Sequence, residues 1–282
     1  VTLDARLTLA RPDLAASDLE GRLSAARFET PKAYRVRVPL TSLRAGPTEN
    51  AEQVSQLIFG ERFDVLDRHA DIVWGQSRRD GYVGWTPAKA LSPDLFEPTH
   101  RVIALRTFAF AEASIKSPPF GPLSLNALVR VTETQGSLAF ADGAGWIATS
   151  HLAPVGADFV EAAASAERFL GTPYLWGGRD SLGLDCSGLI QQAFWAAGLA
   201  CPRDSDQQAA LGVEIQPAEL RRGDLVFWRG HVGLMLDAAR LIHANGFHMA
   251  VAIEPLVEAV TRIAKMGGGD PTAYRRPPRA AI

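Results

Sequence analysis

The chain has 282 residues, 47% of them apolar and 21% charged, with a formal net charge of −2. That length holds two or three compact units of ordinary size, and the composition supplies enough apolar surface to offset chain entropy, which excludes a disordered chain. The near-neutral balance removes the main argument for nucleic acid or an anionic membrane as a partner, because both select basic surfaces.

No run of about eighteen apolar residues occurs, and the opening VTLDARLTLARPDLAASDLEG lacks the basic flank and apolar stretch of a secretory signal. The expectation is a cytoplasmic protein; a signal removed before Val1 would instead place it outside. Cys186 and Cys201 are the two cysteines, and nothing in their placement suggests a disulfide framework. No CxxC pair, HExxH or other metal-ligand spacing is present, so neither a metal nor another cofactor is expected.

Residues 1–32 carry Leu19, Leu23, Ala26 and Phe28 among charges, the pattern of a helical or irregular packing arm. From 33 to 97 the text changes to short β-rich runs, YRVRVPL, QLIFG, RFDVLDR, DIVWGQS and GYVGW, separated by turn residues, and these imply a small barrel. A second passage, 98–154, reads RVIALR, LNALVRVTET, GSLAFAD and GAGWIATSHL. The two passages end alike, DGYVGWTPAKAL against DGAGWIATSHL, which suggests two copies of one fold. The first of these, DGYVGW above all, is similar to bacterial SH3-like domains, which often precede catalytic domains in cell-wall enzymes.

A third unit, 155–282, opens with Phe159, Ala162, Ala163, Ala166, Phe169 and Leu170 spaced along one helix face. GTPYLWGG follows, then the helix-like CSGLIQQAFWAAG, the polar RDSDQQAALG, and three strand-like runs, DLVFW, HVGLML and LIHA. A helix followed by consecutive strands is an α+β arrangement. The Gly- and Pro-rich tail after Lys265 is expected to wrap the surface.

Cys186 opens the helix whose buried face is Leu189, Ile190, Ala193, Phe194 and Ala197. At that end the unpaired N–H groups and the positive pole favour a thiolate, the reactive form of the residue; the alternative is an inert buried cysteine. A thiol nucleophile needs a base, and the base needs an orienting group. His231 is the candidate base, at the start of HVGLML. His243 on the next strand is the preferred orienting residue, with Asn245, beside Gly246 in an expected turn, as the competing one. Cys201, after a helix-ending glycine and before Pro202, reads as a packing residue. Trp176 and Tyr174 are either core aromatics or cleft-lining ones, and the two glycines after Trp176 suggest a tight turn.

Taken together and in order, PYLWGG, DCSGL, RDSDQQ, LRRGDLVFW and HVGLML over residues 158–254 resemble the NlpC-type cysteine peptidases, a papain-like family of bacterial cell-wall hydrolases. The resemblance implies an α+β papain-like catalytic domain preceded by two small all-β SH3-like barrels, with Cys186, His231 and His243 as catalytic residues. It also implies cell-wall peptides as substrate. The architecture is similar to enzymes cutting between D-glutamate and a diamino acid, expected here to be diaminopimelate, some of which require a free N-terminal L-alanine. On that likeness Asp185, Ser187 and Ser205 would bind the amine and the adjoining backbone, and Tyr82 and Glu61 would close one end of the cleft; Trp176 is a further candidate for substrate binding. Restriction to short free peptides would fit recycling inside the cell. Other roles remain for several of these: Asp185 as a helix cap, Tyr82 as barrel core, Glu61 as a solvated turn charge. Two alternatives stand beside this reading: a broader hydrolase or amidase acting on polymeric wall, and an inactive peptidoglycan-binding or scaffold protein.

Overall fold

The structure, a computed structural model, describes residues 3–157 and 159–278. The chain divides into two compact units, Val1–Val155 and Gly156–Ile282.

In the first unit a seven-stranded antiparallel sheet runs, in spatial order, Gln53–Ile58, Leu40–Arg44, Val83–Pro87, Ile72–Ser77, Arg62–His69, Lys32–Val36 and Leu91–Ser92. Alternation along these strands turns Val36, Leu43, Leu57, Phe63 and Val73 into one core, and Tyr82 and Leu91 complete it. The outermost strands, Gln53–Ile58 and Leu91–Ser92, do not pair with each other, so the expected closed barrel is not formed in hydrogen bonding. Bulges between Val65 and Asp67 and between Leu43 and Arg44 bend the strands, which curls the sheet without closing its ladder. Strand Leu40–Arg44 escapes the sequence reading because Pro39 and the polar Thr41-Ser42 pair read as a break.

The passage from 98 to 154 forms a three-stranded sheet around His100–Val102 and a five-stranded one from Pro119–Ser124 to Val131–Gln135. The similar endings have similar shapes: Val83–Pro87 and Gly145–Ala148 each lead into a 3-10 turn, Ala88–Ala90 and Thr149–His151, and then a short strand. Ile58 and Phe59 pack into the core of the second passage with Val102, Leu123, Val129 and Ile147. Gly60 permits this approach, since a Cβ there would stand 1.9 Å from the Leu128 carbonyl oxygen. The N-terminal arm is irregular rather than helical: Leu9, Leu14, Ala16 and Leu19 pack on Trp74 and Trp85. Among the described residues the arm carries a 3-10 turn, Ser17–Leu19, and the two-residue strands Ala15–Ala16 and Phe28–Glu29 paired in parallel. Of the two forms expected for the arm, helical or irregular, the irregular one is found, with Leu19 buried and Leu23 packed beside it.

In the second unit the helix expected around Ala162 spans Ala162–Glu167, and the helix opened by Cys186 spans Cys186–Ala196 with every residue buried. The latter packs against a six-stranded antiparallel sheet of order Val213–Glu214, Ala273–Arg276, Leu225–Trp228, His231–Met235, Arg240–Asn245 and Ala250–Pro255. The tail therefore does more than wrap the surface. Ala273–Arg276 pairs with Leu225–Phe227 on one side and Val213–Glu214 on the other. Arg276 is anchored by a bidentate contact with the buried Asp224, at 2.9 and 2.8 Å. The Gly-rich stretch before it hid this strand from the sequence. A helix, Leu256–Lys265, follows the last strand of the motif region and lays Ala259 into the core.

Candidate active site

The Cys186 helix starts where it does because Asp185 caps it. Asp185 has an extended backbone, and its Oδ1 accepts from the Gly188 N–H at 2.7 Å. Its Oδ2 accepts from the Gly177 N–H at 2.9 Å, tying the preceding turn to the helix. That turn needs both glycines after Trp176: Gly177 has φ +71°, and a Cβ on Gly178 would stand 2.6 Å from the Gly183 carbonyl oxygen.

Arg203 completes the cap. It donates through Nη1 to Asp185 Oδ1 at 3.0 Å and through Nη2 to Oδ2 at 2.6 Å, and Nη1 also reaches Ser187 Oγ at 2.8 Å. Ser187 Oγ in turn donates to Asp185 Oδ1 at 3.2 Å. Asp185, Ser187 and Arg203 are all buried. Both Asp185 oxygens are thus engaged by the helix, the turn and Arg203, so the capping role named for it is the one it plays in the fold. Arg203 opens RDSDQQ with no local sign of this role, since its partner lies 18 positions away. Ser205, the first residue of the short helix Ser205–Gln208, is buried next to this cluster in sequence. Gln208 closes the group by donating to the Ser187 carbonyl at 3.0 Å.

The Cys186 thiol is 7% exposed. Burial first, and the Asp185 charge second, push it up to about 12, while the N–H groups of Val232 and Ser187 and the Arg203 charge pull the other way. The resting thiol is thus protonated, and the thiolate expected from the helix terminus alone is not the ground state. The donors at the helix end are outweighed by the removal of water. The Val232 N–H belongs to the residue after His231, so the thiol meets the sheet beside its candidate base. Tyr174 stands near the thiol too: its hydroxyl is pushed up by burial, then by the Cys186 and Asp185 charges.

His231 begins its strand opposite Trp228. Its Nε2 lies 2.8 Å from Nδ1 of His243 on the neighbouring strand, with the rings 5.0 Å apart at 56°. Pairing of Leu234 with Ile242 sets this register. Gly233 leaves the space between, since a Cβ there would press on Leu241 at 2.4 Å and stand 3.7 Å from the His243 Cβ. Asn245 is engaged elsewhere, its Oδ1 accepting from the His248 N–H at 2.8 Å. Of the two competing third members, His243 is the one brought to His231.

Beyond His243 the chain of contacts continues in a way the sequence did not reveal. His243 Nε2 lies 2.6 Å from Glu254 Oε1, and Glu254 also pairs with Arg262. Burial first, then the positive charges of His243 and Arg262, lower His231 to about 3, against the opposing pull of Glu254. Burial raises Glu254, but the contacts from His243 and Arg262 outweigh it and bring it to about 2. His243, His248 and Glu254 offer ligand atoms within 4.8 Å of one another. With His243 bonded through both nitrogens and a guanidinium on Glu254, the set is suited to ordering protons rather than to holding a cation.

Trp176 is 61% exposed, which excludes the core alternative for it. Tyr82 and Glu61 lie in the other unit. Tyr82 is part of that unit's core. Glu61 is 1% exposed, accepts from the Ile58 N–H at 3.1 Å and pairs with Arg79 at 3.0 Å, so it is not a solvated turn charge. Arg79 also donates to the Asn126 carbonyl at 2.9 Å, which makes Glu61 part of a staple between the two β passages.

Comparison with known proteins agrees with this architecture. Residues 171–265 match the NlpC/P60 family and residues 43–91 the bacterial dipeptidyl-peptidase Sh3 domain. A gamma-D-glutamyl-L-lysine dipeptidyl-peptidase of Bacillus subtilis is 29% identical over 237 residues, covering 76% of this chain and 79% of that protein. The peptidoglycan endopeptidase RipB of Mycobacterium tuberculosis is 35% identical over 116 residues, 33% of this chain and 48% of its own length. The crystal structure of an NlpC/P60 family protein from Bacillus cereus superimposes with a TM-score of 0.72 at 19% identity, covering 86% of this chain and 99% of that one, a likeness of fold. The chain carries a domain of the NlpC/P60 family, a family of cysteine peptidases, preceded in sequence by a bacterial SH3-type domain.

Proposed function

We propose that this protein is a cysteine peptidase that hydrolyses the bond between γ-D-glutamate and a diamino acid in cell-wall peptides bearing a free N-terminal L-alanine. The observation that carries the reading is the 2.8 Å contact between His231 and His243 on the strand whose Val232 N–H meets the Cys186 thiol. In the reaction Cys186 Sγ attacks the scissile carbonyl carbon while its proton passes to His231. The C–N bond then breaks, His231 returns the proton to the departing amine, and water hydrolyses the thioester to regenerate the thiol. N–H groups at the start of the Cys186 helix are suited to the oxyanion. A thiol raised to about 12 and an imidazole lowered to about 3 make a neutral resting pair, so proton transfer accompanies attack rather than preceding it.

Two relatives named as dipeptidyl-peptidases support the free-amine requirement, because such an enzyme removes two residues from an open N-terminus. Asp185, Ser187 and Ser205 are the residues proposed to meet the ammonium, with the Tyr174 hydroxyl as a further acceptor. Trp176, exposed on the turn before the helix, is suited to covering the peptide. Free peptides of this size arise in wall recycling, and a cytoplasmic setting belongs to the proposal.

The test uses L-Ala-γ-D-Glu-diaminopimelate, its L-lysine counterpart, the N-acetylated form of each, and insoluble sacculi, with products read by mass spectrometry. Release of L-Ala-D-Glu from the free peptides, resistance of the acetylated ones and loss of turnover in Cys186→Ala are expected. Equal cleavage of acetylated peptides or digestion of sacculi would replace the reading with that of a broader wall hydrolase. An active Cys186→Ala would remove the nucleophile assignment.

A further inference from the structure

Glu254 stands near the end of strand Ala250–Pro255, opposite Leu241, two positions from Ala252, which faces His243. It is therefore placed to reach His243 from the same side of the sheet. Its carboxylate is held from behind by Arg262, on helix Leu256–Lys265, and the Arg262 guanidinium in turn lies 4.5 Å from the centre of the Phe247 ring. His243 from the neighbouring strand and Arg262 from the helix thus converge on one carboxylate oxygen, which is 2.6 Å from His243 Nε2.

We infer that Glu254, clamped by Arg262, is a positioning residue that fixes the protons on both histidines and leaves Nδ1 of His231 as the unprotonated nitrogen available to the thiol. The inference rests on the peptidase reading above. An ionised carboxylate only accepts, so His243 Nε2 carries its proton toward Glu254. A neutral imidazole has one N–H, so His243 Nδ1 is an acceptor, and His231 must donate to it from Nε2 across the 2.8 Å contact. The proton on Nε2 then obliges His231 Nδ1 to hold a lone pair. Without Glu254 nothing along this line selects between the two tautomers of His243. If His243 carried its proton on Nδ1, His231 would present its proton on Nδ1 and be unable to take one from sulfur. The line of contacts therefore runs His231, His243 and Glu254, behind the strand whose Val232 N–H meets the Cys186 thiol, with Arg262 keeping the last member ionised and in place.

The experiment is 15N NMR of the histidines in the full chain, for wild type, Glu254→Leu and Glu254→Gln, alongside steady-state kinetics on the free tripeptide. Wild type should show the Nε2–H form at both His231 and His243. Glu254→Leu should show mixed forms, with kcat lowered about 10- to 100-fold and KM within about twofold. Glu254→Gln should recover part of kcat, because its amide oxygen can still accept from His243. An Nδ1–H form at either histidine in wild type would overturn the proposal, as would Glu254→Leu retaining both Nε2–H forms and full kcat. If Glu254→Leu fails to fold, the wild-type spectrum and Arg262→Met decide, the latter expected to broaden the tautomer signals and lower kcat with the fold intact. The expected spectrum in a protein that cleaves no peptide would leave the positioning role standing and remove the peptidase reading alone.

Discussion

Arg203 and Asp185 form a buried fork-to-fork ion pair, 3.0 and 2.6 Å between their paired atoms, at the first turn of the helix that carries Cys186. The arginine side chain is 1% exposed and the aspartate 9%. Two charges are thereby removed from water at the start of the Cys186 helix, and each is tolerable only because the other is there.

Replacing Arg203 with alanine should therefore unfold more than it disarms. An uncompensated Asp185 in that position costs about 3–5 kcal/mol, and the helix start loosens with it. Urea melts of Arg203→Ala should lose that amount, while Arg203→Lys, which supplies charge without the planar fork, should fall between the two. Unchanged melting in Arg203→Ala would show that the pair contributes no net stability.

The protonated resting thiol has a kinetic signature. Alkylation of Cys186 by iodoacetamide should keep accelerating as pH rises above 8, since the thiol is raised to about 12. An ion-paired thiolate would instead react at a constant rate from about pH 5 upward. For turnover, His231 lowered to about 3 remains a neutral base well below the ordinary histidine range, so the acid limb of kcat/KM should lie below 6.5.

Acid should also weaken the fold, and the sign is the same for two groups. Glu254 is lowered from 4.5 to about 2, so its contribution is complete above 4.5 and lost as pH falls toward 2. His231 is lowered from 6.5 to about 3, so below 6.5 the unfolded chain takes up a proton that the folded chain refuses until about 3. Denaturant midpoints should decline steadily from pH 7 to pH 3, and His231→Gln should flatten the upper part of that decline.

Gly188 has no room for a side chain: a Cβ there would stand 2.2 Å from the Gly178 carbonyl oxygen and 3.1 Å from Asp185 Oδ1. Gly188→Ala should push the helix start off the turn that carries Trp176, costing about 1–3 kcal/mol despite the gain in helix propensity. Thermal melting of Gly188→Ala against wild type reads the net of the two effects, and a melting point raised above wild type would show that the clash is absent.

The residues legible in the sequence were those whose chemistry and spacing repeat local rules. A cysteine after a capping aspartate, a helix of buried apolar residues and three strands with a histidine on each of two neighbours all announce themselves within short windows. Arg203, Glu254 and Arg262 did not, because their roles depend on contacts 18, 11 and 8 positions away that cross elements. The strand Ala273–Arg276 was hidden for a related reason: four residues among glycines and prolines become a strand only when sheet neighbours lie on both sides. Tyr82 and Glu61 show what the family likeness alone did not indicate: within their own unit Tyr82 belongs to the core and Glu61 pairs with Arg79.

That late strand has a consequence for biogenesis. Leu225–Trp228, which adjoins the strand that begins at His231, has Ala273–Arg276 as its other neighbour, so the nascent chain cannot complete the sheet until residue 276 has cleared the ribosome. Until then one flank of Leu225–Trp228 is an open template for foreign strands. Premature termination ahead of this segment would thus yield aggregation-prone polypeptide, not a slightly shortened hydrolase.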